Sequence, residues 1–446
     1  MENRKAAKYI FRVAISTLQS IIKDVQSPSS TIPPIAIIGG GPCGLTLARL
    51  LQTASINFVV FERDESPTPT LRSQGGTLDI HKESGQEALR RAGLHDQFKS
   101  LARYDATTMT LMDFQGKFRA SFGGDDDGGD RPEIDRRQLR QLLLNSLPTD
   151  RIRWGKILDA VYQKENGGAR DWTLKFRDGS TESGFRLIVG ADGAWSKVRS
   201  LITDAKPIYS GKSFIEGRIS PDNSQYKLAQ QVAGKGTAMA MSAKSTLAVQ
   251  QLSDASYRMY MGVVAPESLT RPGGDADPND MDKARKTMLG SGGFYENWTQ
   301  DLRRLIKASE GPWRPWPLYR LDKTLFSSND EDVHDGRPRW KRAPGVVLLG
   351  DAAHLATPNG EGVNQAMYDA LVLFDQIISE TGVREGPYDQ KYDAEALERA
   401  IIAYEKEMRP RAYEHIQSSI DMEDMMYADD GAQRMIEAFK CAHGES

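Results

Sequence analysis

The sequence at positions 35–63, IAIIGGGPCGLTLARLLQTASINFVVFER, decides the fold of this chain. An apolar run ends in three glycines, a segment with helical spacing of its leucines follows, and a second apolar run closes the stretch. Runs of consecutive apolar residues are typical of strands that are covered on both faces. A glycine turn between such a strand and a helix begins a βαβ unit. The stretch therefore predicts strand, turn, helix and strand.

The glycine turn has the spacing of a dinucleotide-binding loop. Gly39, Gly41 and Gly44 match the pattern G-x-G-x-x-G, in which the glycines permit a tight turn, close approach of a pyrophosphate, and close packing of helix on strand. Glu62 follows at the end of the second apolar run. A carboxylate at this place binds ribose hydroxyls and repels a 2′-phosphate, so the predicted ligand is a dinucleotide with a free 2′-hydroxyl.

Length and composition place the chain among ordinary globular proteins. It has 446 residues, of which 39% are hydrophobic and 27% are charged, and its net charge is −3. The length predicts two domains or three, and the charge gives no electrostatic footprint for nucleic acid. Two cysteines argue against a disulfide framework. We therefore expect a reducing, cytoplasmic location, and we recognise no metal-ligand pattern.

The N-terminal part has its own pattern. Within residues 5–25, apolar side chains such as Phe11, Ile15 and Leu18 recur at helical spacing between basic residues, which predicts an amphipathic helix. Docking of this helix on the protein body or on a partner subunit is the favoured interpretation, and contact with a membrane surface is the alternative. We expect a monomer or a weak dimer.

The rest of the chain indicates two kinds of sheet. RLIVGADG at 186–193 and GVVLLGDAA at 345–353 are apolar runs that end in glycine, like the first strand. Residues 206–335 alternate instead, as in STLAVQQL and YRMYMGVV, which predicts an antiparallel sheet with one face turned towards a ligand or another domain. The alternating residues 107–122 are assigned to that sheet, and residues 123–130 to a solvated loop.

A second glycine-rich turn, GDAAHLATPNGEGVNQA, occupies positions 350–366. With GADGAWSKVR at 190–199 and the first loop, it resembles the three fingerprints of the group A flavoprotein monooxygenases, the para-hydroxybenzoate hydroxylase-like family. The fingerprints keep the family's order, and the resemblance covers about residues 34–375. LRSQGGTLDIHKESGQEALRRAGL (71–94), PEIDRRQLRQLLLNSL (132–147) and WTLKFRDGSTE are most similar to the tetracycline-inactivating monooxygenases and their fungal relatives.

The resemblance implies an α/β fold in which a Rossmann-like FAD-binding domain carries an inserted antiparallel-sheet substrate domain and C-terminal helices. A helix is predicted over 132–147. The expected divisions are 1–33 for the N-terminal amphipathic extension and linker, 34–106, 131–205 and 336–375 for the discontinuous FAD-binding domain, 107–130 and 206–335 for the substrate domain, and 376–446 for the C-terminal helices.

The family's functional residues carry over to matching positions. The implied FAD-binding residues are Gly39, Gly41, Gly44, Glu62, Arg63, Arg72, Arg136, Asp192, Asp351 and Val363. The implied catalytic segment, which would lie against the isoalloxazine ring, comprises Pro358, Gly360, Gly362 and Asn364. The antiparallel sheet would supply the substrate pocket, and the candidates there by position are Glu216, Arg218, Tyr260 and Trp316.

The activity implied is that of an FAD-dependent monooxygenase. NADPH or NADH would reduce the flavin transiently, and O2 would form a flavin C4a-hydroperoxide that inserts one oxygen atom by hydroxylation or epoxidation. The substrate would be an electron-rich aromatic, enolic or indolic small molecule. Antibiotic inactivation and a step in secondary metabolism both remain open, as does the choice of nicotinamide.

Two other functions remain as alternatives. A flavin oxidase or dehydrogenase would use the same fold without oxygenating a substrate. A non-catalytic dinucleotide-fold protein, like the GDP-dissociation inhibitors, is disfavoured by the intact first loop and by Asp351. His354 is interpreted as a structural or cofactor-side group rather than as a general base. His81 follows a loop that would face the cofactor cleft, and a role as general base is not favoured for it either.

The second turn departs from the family pattern. Relatives usually read G-D-A-A-H-x-x-x-P-x-x-G-Q-G-x-N, whereas here one residue separates Pro358 from Gly360, and Glu361 replaces the glutamine. A carboxylate held against a reduced flavin would oppose the negative charge of that flavin. We therefore expect Glu361 to turn towards solvent or towards a basic partner.

Overall fold

The computed structural model describes residues 32–68, 75–123, 131–163, 168, 170–327, 339–382 and 387–443. The predicted N-terminal helix, Arg72 and nearly all of the loop at 123–130 lie outside these residues. Within the described ranges, no helix is both long enough and apolar enough to cross a membrane.

The described chain alternates between strands and helices. In chain order the strands are β1 (Ile35–Ile38), β2 (Phe58–Phe61), β3 (Thr77–Asp79), β4 (Met109–Asp113), β5 (Arg119–Phe122), β6 (Glu133–Asp135), β7 (Ile152–Arg153), β8 (Leu158–Gln163), β9 (Trp172–Phe176), β10 (Thr181–Ser183), β11 (Leu187–Gly190), β12 (Ile208–Ile219), β13 (Thr237–Ser242), β14 (Ser245–Gln251), β15 (Tyr257–Val264), β16 (Glu310–Arg320) and β17 (Val346–Leu348). The α-helices are α1 (Pro42–Thr53), α2 (Gly85–Arg91), α3 (His95–Leu101), α4 (Arg136–Asn145), α5 (Tyr226–Ala233), α6 (Met281–Leu289), α7 (Gln300–Ala308), α8 (Asp351–His354), α9 (Gly362–Thr381), α10 (Gln390–Met426) and α11 (Gly431–His443).

A parallel sheet forms the nucleotide-binding half, with its strands in the order β17, β11, β1, β2, β7. Helix α1 connects β1 to β2, so the βαβ unit predicted from the first stretch is confirmed. All residues of β1 and β11 are buried, because helices and loops cover both faces of the sheet. The consecutive apolar runs in the sequence have this physical cause.

A larger sheet forms the second half, in the order β16, β12, β15, β14, β13, β4, β5. Its neighbours pair antiparallel except for β4, which lies parallel to β13 and brings residues 109–122 into this sheet as predicted. Side chains alternate between its faces. Ile215 and Met259 belong to a core shared with α5, α6 and α7. Phe214 and Glu216 lie on the opposite face.

The helix predicted over 132–147 is shorter than expected. Residues Glu133–Asp135 form β6 and pair antiparallel with β3, so α4 begins only at Arg136. Ile134 is fully buried in this pair. A tertiary pairing has therefore overridden the local helical pattern, which is a weak preference by itself.

The small sheet of β3 and β6 joins the two halves. The Thr77 backbone N–H donates to the Gln250 side-chain oxygen at 3.1 Å, and the Ser253 hydroxyl donates to the Asp135 carboxylate at 2.5 Å. β8, β9 and β10 form a separate antiparallel sheet. The junction places the open face of the large sheet beside the start of α4.

The C-terminal helices connect both halves. Helix α9 runs across position 375, where the predicted division between the FAD-binding domain and the C-terminal helices falls. Near the end of α10, the buried Glu423 carboxylate lies 3.5 Å from the Lys212 ammonium and 3.1 Å from the Arg320 guanidinium. These two basic residues lie on β12 and β16, so α10 is tied to the large sheet.

Candidate functional site

The first glycine loop has the shape that a pyrophosphate requires. Gly39 has φ +111°, and a Cβ at this position would lie 2.2 Å from the Ala191 carbonyl oxygen. A Cβ at Gly44 would lie 2.1 Å from the Gly39 carbonyl oxygen. No atom lies within 4 Å of a Cβ built on Gly41. The outer glycines are needed for packing, whereas the middle one leaves its backbone open to a ligand at the start of α1.

The predicted ribose-binding carboxylate is held firmly at the end of β2. Glu62 is buried, and its carboxylate accepts hydrogen bonds from the Gly40 N–H and, at 2.9 Å, from the Asp64 N–H. Arg140 lies 3.9 Å from the same carboxylate and donates to the Gly40 carbonyl oxygen at 3.0 Å. Arg63 is exposed. Arg140 lies one helical turn after Arg136, and it was not predicted from the sequence.

Asp192 organises the segment that follows β11. Its carboxylate accepts hydrogen bonds from the Ser196 hydroxyl at 2.6 Å and from the Lys197 N–H at 2.7 Å. Burial raises the pKa of Asp192, and these hydrogen bonds oppose the rise. The buried Arg199 donates to the Ala352 carbonyl oxygen at 3.2 Å. Arg199, which the sequence analysis did not single out, therefore joins the second fingerprint to the third.

Asp351 begins the short helix α8 directly after β17. Its side chain is accessible to solvent, yet the surrounding protein raises the pKa of its carboxyl group. The charges of His354, Arg136 and Arg199 oppose that rise. Arg136 is the first residue of α4, and its side chain lies against Gly75. The structure thus brings Asp351 and Arg136, which are distant in sequence, within electrostatic reach of each other.

A buried ionic network fixes the turn before Asp351. The Asp369 carboxylate on α9 accepts the Gly350 N–H at 2.9 Å, contacts the His354 Nε2 at 2.6 Å, and accepts from the Arg411 guanidinium at 3.1 Å. Burial by itself would lower the pKa of His354, but the Asp369 carboxylate overrides this and raises it. The pKa of Asp369 is lowered against burial by its two basic partners. The Nε2 of His354 is therefore bound within this network, which fits the structural or cofactor-side role expected from the sequence.

The predicted catalytic segment forms an exposed turn and the start of α9. Pro358 and Gly360 are exposed, and Gly360 has φ +87°. Gly362 and Val363 open the helix and are half-buried. Among the described residues, no side chain caps this helix start, which follows Glu361. The backbone N–H groups of the first turn therefore have no side-chain cap from the described residues, and they form the positive end of a helix dipole.

Asn364 locks this helix start to the end of β3. Its side-chain oxygen accepts the His81 N–H, and its amide donates to the Asp79 carbonyl oxygen, both at 2.9 Å. The Glu361 carboxylate lies 3.4 Å from the His81 Nδ1. Glu361 therefore has the basic partner that the sequence analysis expected. Asn364 is fully buried, and its amide holds two backbone segments together.

Three of the four predicted substrate residues form one group on the large sheet. The buried Glu216 carboxylate lies 2.8 Å from the Arg258 guanidinium and accepts the Trp316 indole N–H at 2.8 Å. Tyr260 lies opposite Glu216 on β15. Burial, followed by the Glu216 charge, raises the pKa of Tyr260 to about 12. The hydroxyl is therefore neutral at physiological pH, and both oxygens of Glu216 are already bonded.

The fourth predicted substrate residue has a different ionic partner. Arg218 pairs with Asp254 at 3.1 Å near solvent, and it lies opposite Arg258 on the neighbouring strand. The Tyr260 hydroxyl lies close to Gly76 in the first half of the protein: a Cβ built on Gly76 would be 2.6 Å from the hydroxyl oxygen. The charge of Arg136 acts on the Tyr260 hydroxyl as well as on Asp351. The cofactor-side residues and the sheet face therefore converge around Arg136.

An open glycine loop, a strand-end carboxylate and a second turn supplied from far along the chain define a dinucleotide-binding flavoprotein of the oxidoreductase class. The profile of the FAD binding domain family matches residues 33–271. The chain belongs to this family, and FAD is its cofactor. The glycine loop, in which only the middle position is open, fits the FAD pyrophosphate.

Individual proteins similar to this chain include a fungal monooxygenase and two proteins of known structure. Monooxygenase asqM of Emericella nidulans is 31% identical over 423 residues, which cover 85% of this chain and 92% of that protein. HpxO of Klebsiella pneumoniae, solved with FAD and uric acid, superposes with a TM-score of 0.68 at 21% identity and covers 93% of each chain. The tetracycline destructase Tet(51) gives a TM-score of 0.62 at 16% identity, over 92% of this chain and 98% of that chain.

These similarities confirm the resemblance to the group A flavoprotein monooxygenases and the predicted fold class. The protein is an FAD-dependent monooxygenase. The two structural neighbours, at these identities, are evidence for the fold alone.

Proposed function

We propose that this protein uses NADPH or NADH and O2 to insert one oxygen atom into an electron-rich aromatic, enolic or indolic small molecule, by hydroxylation or epoxidation. The observation that carries the proposal is the contact at Gly76, whose carbonyl oxygen accepts the Arg136 backbone N–H at 3.2 Å and which lies against the Tyr260 hydroxyl of the large sheet. A substrate on that sheet face would lie next to a flavin held between the two glycine turns.

In this proposal the FAD would be held in two halves. Gly39, Gly41, Gly44 and Glu62 would bind the ADP half, with Arg63, Arg136 and Asp192 nearby. Asp351 and Val363 would hold the flavin half, beside the turn from Pro358 to Asn364. The flavin, once bound and reduced, supplies the chemistry that activates O2.

The protein's own contribution would be electrostatic and positional. The uncapped N–H groups at the start of α9 would stabilise negative charge on a reduced flavin. Asn364 would keep that helix start in place through its bonds to the end of β3. Glu216 would act by fixing Trp316 and Arg258 rather than as a base, because both of its oxygens are already bonded.

The face of the large sheet that carries Tyr260 and Trp316 favours an aromatic substrate. Phe214 and Tyr260 lie with their ring centroids 6.1 Å apart, and Trp316 is 37% exposed beside them. Met239 is half-buried on the same sheet and packs in a cluster that includes Phe214. Aromatic and thioether side chains offer polarisable surface to a planar ring. A phenol, enol or indole would need no dedicated general base to react.

The location proposed for the protein is the cytoplasm. Cys43 is buried and Cys441 is exposed, and neither is in a disulfide. This state fits a reducing compartment.

The purified protein with FAD tests the proposal. NADPH and NADH oxidation and oxygen uptake would be followed against a panel of phenols, indoles and aromatic polyketides, and products would be analysed by mass spectrometry. We expect a compound that accelerates nicotinamide oxidation and gains one oxygen atom. Accelerated oxidation that yields only hydrogen peroxide with every compound would contradict the proposal and favour a flavin oxidase.

A further inference from the structure

An acidic residue lies where the second turn would approach the flavin, and the structure gives it one close basic partner. The His81 imidazole lies between two carboxylates, with its Nε2 2.8 Å from Asp79 and its Nδ1 3.4 Å from Glu361. Both ring nitrogens therefore face an acceptor. A proton on each nitrogen lets the ring donate to both carboxylates, so the arrangement favours the imidazolium cation.

The imidazole cannot easily leave this position. The His81 side chain is 11% exposed, and the His81 backbone N–H donates to the Asn364 side-chain oxygen at 2.9 Å. The same amide holds the Asp79 carbonyl oxygen. The cation and the start of α9 therefore belong to one rigid unit. The partner carboxylates are more accessible than the ring, with side-chain exposures of 38% for Asp79 and 33% for Glu361.

Among the described basic groups near Glu361, the His81 imidazole is the closest cation. Burial would lower the pKa of His81, but its two carboxylate partners raise it to about 9. His415, which also acts on Glu361, has its pKa lowered to about 4 by burial and is neutral. Arg131 acts on Glu361 from a greater distance. The other charged groups around the cluster are Glu133, opposite Asp79 on β6, and Lys82, Glu83 and Arg411, which line a cavity of about 400 Å³ beside His81.

We propose that His81 is a positioning residue that holds Glu361 away from the cofactor and offsets its charge at the start of α9. The inference rests on the proposed function, in which this helix start faces the flavin. Without the imidazolium, the negative charge of Glu361 would reduce the positive potential at the start of α9, and that potential is what stabilises a reduced flavin. With the imidazolium present, glutamate can occupy position 361, where the family pattern has glutamine, without this loss of potential.

The proposal predicts opposite effects for the two partners. His81→Asn removes the offsetting charge and is expected to weaken binding of reduced FAD about 10-fold relative to oxidised FAD. For a two-electron couple this ratio corresponds to a midpoint potential lower by about 30 mV. Glu361→Gln removes the opposing charge and is expected to raise the potential by a similar amount. The double variant is expected to return close to the wild-type potential.

The measurement is the flavin midpoint potential of each holoenzyme, obtained by dithionite reduction against a reference dye. His95→Asn is the matched control, because the His95 ring contacts the Gln86 amide at 3.4 Å on another helix. We expect its potential to be unchanged. The inference is overturned if both single variants keep the wild-type potential, or if the double variant stays as low as His81→Asn.

Two further features keep the test decisive. Glu361→Gln alters a partly exposed side chain, so this variant is expected to fold even if His81→Asn does not. An unchanged midpoint potential in Glu361→Gln then refutes the proposal, and a raised potential supports it. The reduction uses no nicotinamide and no substrate. Failure of oxygenation would therefore refute the proposed function without affecting the measured potentials.

Discussion

Replacing Asp369 by asparagine removes one negative charge from a fully buried site on α9. The carboxylate is 0% exposed and serves three donors, which are the Gly350 N–H, the His354 imidazole and the Arg411 guanidinium. An asparagine has nearly the same shape, but only one of its two terminal atoms accepts hydrogen bonds. Its amide nitrogen would face a donor, and His354 and Arg411 would lose their shared counter-charge.

The structure sets the size of the expected effect. Removing one partner of a buried ion pair costs about 3 to 5 kcal/mol, because the remaining charge stays buried without compensation. The Arg411 side chain is 21% exposed, so water partly compensates it, and we expect a loss near the lower limit, about 3 kcal/mol. Because Asp369 also holds the Gly350 N–H before Asp351, we expect FAD affinity to fall as well, by about 10-fold, equal to about 1.4 kcal/mol.

The same helix supplies a matched control. Asp375 pairs with Arg91, and both side chains are more than 40% exposed. Asp375→Asn is expected to cost less than about 1 kcal/mol, as exposed ion pairs do. Urea unfolding of the apoproteins, followed by circular dichroism, measures stability, and quenching of flavin fluorescence measures FAD affinity. Equal unfolding midpoints and equal FAD affinities for the two variants would refute the reasoning about the buried network.

Substitutions in the glycine loop, at His81 and at Glu216 have separate, measurable effects. Gly41→Ala should change apoprotein stability by no more than about 0.5 kcal/mol, but it should weaken FAD binding at least about 10-fold because the added methyl group blocks the pyrophosphate. Gly39→Ala should instead destabilise the apoprotein, and equal losses of stability in urea for the two variants would contradict this. Because the pKa of His81 is raised to about 9, its stabilisation is complete below the unfolded pKa of about 6.5 and disappears as pH rises through 9. The unfolding free-energy difference between wild type and His81→Asn, about 1 kcal/mol or more at pH 6.5, should therefore shrink towards pH 9.5, and a constant difference would be evidence against the ion pairs. Glu216→Gln leaves a buried arginine without its counter-charge and should cost about 3 kcal/mol, against less than about 1 for Asp254→Asn at an exposed pair, as urea midpoints would reveal.

Local sequence patterns were sufficient for the framework of the fold. The run from Ile35 to Arg63 specified the βαβ unit, because apolar periodicity, glycine turns and a strand-end carboxylate are properties of neighbouring residues. The alternation in β14 and β15 similarly predicted an antiparallel sheet. The pattern failed over 132–147, where pairing with β3 converted the first residues of a predicted helix into a strand.

The candidate site was only partly predictable. Glu361 was recognised as unusual from its place in the second turn, and a basic partner was expected. That the partner is His81, 280 positions earlier in the sequence, depends on how the end of β3 packs against α9. Glu216 was selected by position as a substrate contact, whereas its bonds to Arg258 and Trp316 depend on the pairing of distant strands and were not predictable.

The sequence by itself determined the class of fold, the two glycine turns and the kind of cofactor, because these depend on residue types at short and regular spacing. Only the tertiary structure decided which partner each buried charged side chain has. Asp369 with Arg411, Arg199 with the turn after β17, and His81 with Glu361 are contacts between segments that are distant along the chain. Electrostatic energy depends on distance and burial rather than on sequence order, so these contacts exist only once the sheets and helices have packed.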